Sequence, residues 1–129
     1  MVVEETDPTV PAWAKAETKP SYTASEVGAL SSTARVDGVG FNGGTDITHY
    51  ATCSTAASTQ TKTVSLSNFT PLAGSELIIK FTVTNTASNP QLSVNNGSAY
   101  AIYYKGTNIP TGALAANNVY KFVFDGSVY

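Results

Sequence analysis

An all-β fold is what this 129-residue sequence predicts, and three observations predict it. Five segments in its second half alternate apolar and polar residues with period two, the signature of half-buried strands. Asn, Gly and Pro bound those segments, as turns require. The polarity of the surface comes from hydroxyls and amides: charged residues are only 12% of the chain. The expected architecture is a small antiparallel β-sandwich head over residues 50–129, behind an extended N-terminal arm with a short helix (residues 1–30) and a Gly-rich β connector (residues 31–49).

The arm begins with Glu4, Glu5 and Asp7 among Pro8 and Pro11, which reads as extended, solvated chain. Trp13 stands alone in it, and an isolated Trp in a polar arm is expected to bury its ring on a partner surface. Thr23 and Glu26 then have the spacing of a capping box, so a helix near residues 24–30 is expected, with Val27 and Leu30 on one side. So short a helix does not repay its nucleation cost alone and must dock on the body or on a neighbouring copy. In the connector, Gly38, Gly40, Gly43 and Gly44 cut the chain into short extended pieces, and Asn42-Gly43 is a two-residue turn signal. The glycines do not make a phosphate loop, since no Lys-Ser/Thr ending and no long helix follow.

In the body, residues 61–67 place Val64 and Leu66 on one face and Thr63, Ser65 and Ser67 on the other. Residues 77–84 form the strongest strand, with Leu77, Ile79, Phe81 and Val83 facing one way. Leu92 and Val94 mark a shorter strand over 91–95, and Asn96-Gly97 is expected to turn the chain into a strand over 98–105. The last strand, 119–124, sets Tyr120, Phe122 and Phe124 against Val119, Lys121 and Val123.

Composition narrows the function. A net charge of −2 provides no basic field, so nucleic acid is not an expected partner. The single cysteine excludes an internal disulfide framework. No segment has the apolar length of a membrane span, so no membrane insertion is expected. The N-terminal residues lack signal-peptide character, so production in the cytoplasm without a signal peptide is expected.

The chemistry-bearing residues are few. His49 and Cys53, four apart on a strand, share a face about 13 Å apart, too far for a nucleophile–base pair. Cys53 reads as a small buried residue and His49 as an ordinary hydrogen-bonded or exposed one; three copies of His49 meeting on an axis around a metal is the weaker alternative. Asp37, Asp46, Glu76 and Asp125 lie among turns rather than as a carboxylate pair. No catalytic residue, no metal and no cofactor is therefore expected; the chain does not read as an enzyme. Tyr100, Tyr103, Tyr104 and Tyr120 cluster near several asparagines in the last third. Aromatic faces beside amides suit sugar rings, and Tyr103, Tyr100, Asn95 and Asn96 are the candidate glycan contacts; alternation alone would bury about half of such tyrosines.

Two stretches carry a family resemblance. The run PAWAKAETKPSYTASEVGAL resembles a joint of tail-fibre and minor structural proteins of tailed bacteriophages and prophages, in which W-A-K-x-x-x-K-P-x-Y-T-x-x-E-V-G-A-L precedes a small β domain. The segment RVDGVGFNGGTDI resembles a recurrent tail-fibre element, with Asp37-Gly38 where Asn-Gly is common. The body, from CSTAASTQTKTVSLSNF to NNVYKFVFDGSVY, is similar to a repeat-type β domain of phage tail and baseplate-associated proteins. The resemblance implies a virion protein: an intertwined homotrimer with Trp13, Val27, Leu30 and Phe41 at trimer contacts. Its partners would be other tail and baseplate proteins and a bacterial surface glycan as receptor. It also implies one more strand after the F-D-G turn, so that the head is cut inside its last hairpin at Tyr129 and leaves an edge open or completed by another chain. The competing expectations are a free-standing carbohydrate-binding module of a secreted bacterial protein, for which an interwoven connector has no use, and a ligand-free spacer of the tail.

Overall fold

The computed structural model describes residues 6–11, 21–23, 25–29, 35–36, 39–40 and 49–129. The chain divides into two compact units, Met1–Ser31 and Ser32–Tyr129. In the first, Thr9 donates from its backbone N–H (2.8 Å) and its hydroxyl (2.7 Å) to Asp7 Oδ1. Further on, the capping box is present: Thr23 N–H donates to Glu26 Oε2 at 2.8 Å, and Glu26 N–H to Thr23 Oγ1 at 3.3 Å. The expected helix is not. Residues 25–28 form one turn, closed by Glu26 N–H on Thr23 O (3.1 Å) and Gly28 N–H on Ser25 O (3.3 Å). Gly28 adopts φ 65°, the left-handed geometry that ends helices, before a second turn can accumulate.

The second unit is all-β, with no helix among the described residues. β1 (Arg35–Val36) and β2 (Val39–Gly40) pair antiparallel with Val36 opposite Val39, so the register brackets Asp37-Gly38, which lie outside the described residues together with Asn42-Gly43. The head follows: β3 (Tyr50–Cys53), β4 (Thr61–Val64), β5 (Glu76–Phe81), β6 (Gln91–Val94), β7 (Ala99–Ala101), β8 (Tyr103–Tyr104), β9 (Thr107–Asn108) and β10 (Val119–Val123). Two three-stranded sheets, β10-β5-β3 and β4-β6-β7, share one core, and β8 and β9 make a separate small ribbon.

Neither three-stranded sheet is purely antiparallel, contrary to the expectation. β3 runs parallel to β5, and β4 parallel to β6. The reason lies in the order of the chain. From β3 to β6 successive strands alternate between the sheets, so each return to a sheet is a crossover, and a crossover of this length delivers a parallel neighbour. Within these two sheets, only β10 on β5 and β7 on β6 are antiparallel.

The alternation does set the core. Leu77, Ile79 and Phe81 from β5 meet Val64 and Leu66, Leu92 and Val94, and Phe122 and Phe124, all buried. Burying each such side chain contributes about 1.5–3 kcal/mol before ordering costs. Val119 and Val123 face outward, as the pattern requires. The expected strand over 98–105 is broken at Ile102, whose side chain is buried while Tyr104 is exposed.

Two polar groups hold the frame. Lys62 occupies an inward position of β4, 1% exposed, and its Nζ donates to Ala56 O (3.0 Å) and Ala57 O (3.1 Å). Burial lowers its pKa from the ordinary lysine value. Asn95 donates through Nδ2 to Leu66 O (2.7 Å) and Phe69 O (3.1 Å) and accepts from Leu66 N–H (2.8 Å). It also turns the chain after β6. Asn95 and Asn96 both take positive φ, 54° and 57°, and Gly97 N–H closes on Val94 O at 3.0 Å. The turn thus centres one residue earlier than Asn96-Gly97, because the Asn95 amide is pinned to residues 66–69.

Candidate functional site

Two depressions on the head hold the candidate chemistry. The first arises where β3 and β4, edge strands of different sheets, come side by side. Thr55 Oγ1 joins them by accepting the Thr63 N–H at 3.0 Å. The outward positions of both segments carry hydroxyls, so Thr52, Ser54, Thr63 and Ser65 converge with Asn96 and Val64 around a pocket of about 300 Å³. The four hydroxyl residues and Asn96 are exposed, and none of the lining groups is ionisable. Such a surface offers neutral donors and acceptors to a ligand rich in hydroxyls.

The second is an apolar groove of about 470 Å³ between β8 and β10. Tyr103 and Tyr104 form one wall, Tyr120, Lys121, Phe122 and Val123 the other, with Ile109 and Tyr129 among the remaining lining residues. Lys121 is held on the outer sheet face by an ion pair with Glu76 at 3.0 Å. Lys105 Nζ lies 5.3 Å from the Tyr104 ring centroid, within cation–π range. Tyr129 is drawn into the aromatic cluster below, its ring 5.0 Å from Phe124 and 6.1 Å from Tyr100. Its hydroxyl is buried without a hydrogen-bond partner, and burial, with Tyr100 alongside, pushes its pKa up to about 12.

The candidate glycan contacts are not gathered in one place. Asn96 lines the hydroxyl pocket and Tyr103 the apolar groove. Tyr100 is half-buried with its ring 4.6 Å from Phe124, and the Asn95 amide is engaged with backbone. Of the four trimer-contact candidates, Trp13, Leu30 and Phe41 lie outside the described residues, and Val27 is exposed on its turn. His49 Nδ1 lies 2.9 Å from Glu76 O. Cys53 is buried with its Sγ 3.5 Å from Thr55 Oγ1. Among the described residues no cluster of His, Cys, Asp and Glu could hold a metal, and no helix is long and apolar enough to cross a membrane.

Thr52, Ser54, Thr63 and Ser65 were not among the candidate contacts read from the sequence, although Thr63 and Ser65 were placed on the outward face of residues 61–67. Their signal was present as alternate hydroxyls in ATCST and TKTVSLS. What period-two reading lacks is the neighbour relation of β3 and β4, which belongs to topology. Comparison of the chain with protein-family models, curated proteins and solved structures finds no match.

Proposed function

We propose that this chain is a structural component of a bacteriophage or prophage tail fibre, assembled as a homotrimer that presents its β head to a glycan of the host surface. The observation that carries the adhesive part is the uncharged pocket of Thr52, Ser54, Thr63, Ser65 and Asn96. Its hydroxyls and amide match the hydroxyls of a sugar in both hydrogen-bonding senses, and it holds no acid–base pair for cleavage. The fibre part is supported by the joint-like stretch of residues 11–30 and by the exposed Tyr22 and Val27 beside its capping-box turn. Single sites of this kind are weak, and three copies per fibre with several fibres per particle multiply them.

The test is glycan-array binding by the assembled protein, compared with Thr63→Ala and Ser65→Ala. Each lost hydrogen bond removes about 1 kcal/mol per site, roughly fivefold, and more through avidity. Glycan binding unchanged in both variants would move the site elsewhere, and no binding to any bacterial glycan would leave the spacer reading in its place.

A further inference from the structure

The turn after β6 carries a reactive dipeptide, Asn96-Gly97, and its asparagine lines the hydroxyl pocket. In an Asn-Gly pair the glycine nitrogen attacks the asparagine side-chain carbon, since glycine has no side chain to hinder the approach. Here a bond would form between Gly97 N and Asn96 Cγ, closing a five-membered succinimide. The Cγ–Nδ2 bond of Asn96 breaks, and the amide leaves as ammonia with the proton lost from Gly97 N. Water then opens the ring to aspartate or, through the other carbonyl, to isoaspartate. The balance needs water alone.

The folded turn is closed to this attack. Asn95 and Asn96 both take positive φ, and Gly97 N–H is held on Val94 O at 3.0 Å. A two-residue turn of this type keeps ψ of its second central residue small, whereas ring closure needs the Gly97 nitrogen swung over Asn96 Cγ. Ser93 Oγ fixes the far side of the glycine by donating to Gly97 O at 2.8 Å. On the other flank, Asn95 N–H donates to Val64 O at 2.9 Å, and the Asn95 amide makes its three bonds to Leu66 and Phe69. The reaction therefore starts from a locally opened turn. Asn96, Gly97, Ser98 and Ala99 are exposed, so opening uncovers little apolar surface. The hydrogen bonds of Asn95 are its main cost.

We propose that Asn96 is a self-modification site gated by the Asn95 carboxamide, and that its product sets a carboxylate among the uncharged groups of the hydroxyl pocket. Loss of the amide donor and arrival of the charge both weaken a neutral ligand held through hydroxyls. That consequence rests on the proposed glycan reading; the modification itself does not. Asn95 is a positioning residue here, since it acts on the reacting atoms through the turn. The chain's other Asn-Gly pair, Asn42-Gly43, lies outside the described residues.

The experiment incubates the full chain at mildly alkaline pH beside a synthetic peptide of residues 92–99. Peptide mapping follows the gain of one mass unit at Asn96. The folded chain reacts about tenfold or more slowly than the peptide, and Asn95→Gly, which keeps the positive φ but loses the amide bonds, speeds it about tenfold. Should that variant fail to fold, Ser93→Ala, which releases only Gly97 O, speeds it about threefold. Asn85→Ala loses two bonds to Ala87 in the connection before β6 and leaves the rate unchanged, which separates a local gate from lost global stability. Equal rates in chain and peptide would overturn the inference, as would equal acceleration by Asn85→Ala and Asn95→Gly. Asn96→Asp weakens glycan binding about fivefold. Glycan binding unchanged in that variant would overturn the consequence for the pocket. Binding absent from the wild type as well would refute the glycan reading, with the mass result still deciding the modification.

Discussion

Tyr129 is both anchored and unsatisfied. Its ring sits among Phe122, Phe124 and Tyr100 and its backbone bridges Ala101 and Tyr103, yet its hydroxyl has no partner. Removing an orphaned buried hydroxyl while keeping the ring stabilises, so Tyr129→Phe is expected to gain about 1 kcal/mol in denaturant unfolding. The pH dependence has a definite sign. With its folded pKa raised to about 12, the protonated phenol contributes stability that is complete below pH 10 and lost as pH rises toward about 12. Tyr129→Phe abolishes that decline. Lys62 acts oppositely. Its folded pKa is lowered, so the unfolded chain holds the proton more tightly and stability rises with pH up to about 10.5. Lys62→Met removes that rise and, by taking the donor from Ala56 O and Ala57 O, costs about 1–3 kcal/mol in unfolding experiments. Neither residue was legible beforehand. A lysine in TKTVSLS reads as solvent-facing by chemistry, and only the period places it inward with Val64 and Leu66.

Among the elements, the turn after β6 is the most informative. Asn95 supplies two donors and one acceptor to residues 66–69 and takes positive φ at the same time. Asn95→Gly keeps the conformation and loses the three bonds; Asn95→Ala loses both. Thermal or chemical unfolding should therefore order them wild type, then Gly, then Ala, with the alanine variant about 2–4 kcal/mol below wild type. Equal stability of Gly and Ala would show that the left-handed backbone there carries no cost. The alternation was legible in part: Val64, Leu66, Leu77, Ile79, Phe81, Phe122 and Phe124 are buried and Tyr120 half-buried because alternation is a direct consequence of the pleat, but the strand expected over 77–84 stops at Phe81 and leaves Val83 half-buried beyond it. The helix near 24–30 was misread because Thr23 and Glu26 specify a start but not a length. Gly28 at φ 65° sets the stop, and glycine's freedom there shows only in the backbone.

For the whole molecule, the all-β class followed from pattern, while the parallel pairs did not. Direction depends on which strand lies next to which, and β3 meets β5 only because β4 belongs to the other sheet. The same blindness explains the site. Hydroxyls distant in sequence converge because two sheet edges meet, and Tyr103 and Asn96, near in sequence, face different depressions. The proposed assembly rests on the joint-like run of residues 11–30 rather than on the head, and mass tests it most directly. Light scattering behind a sizing column is expected to give three times 13.4 kDa, unchanged on dilution through the micromolar range. A clean mass of 13.4 kDa would contradict the trimeric fibre and favour a free-standing binding module.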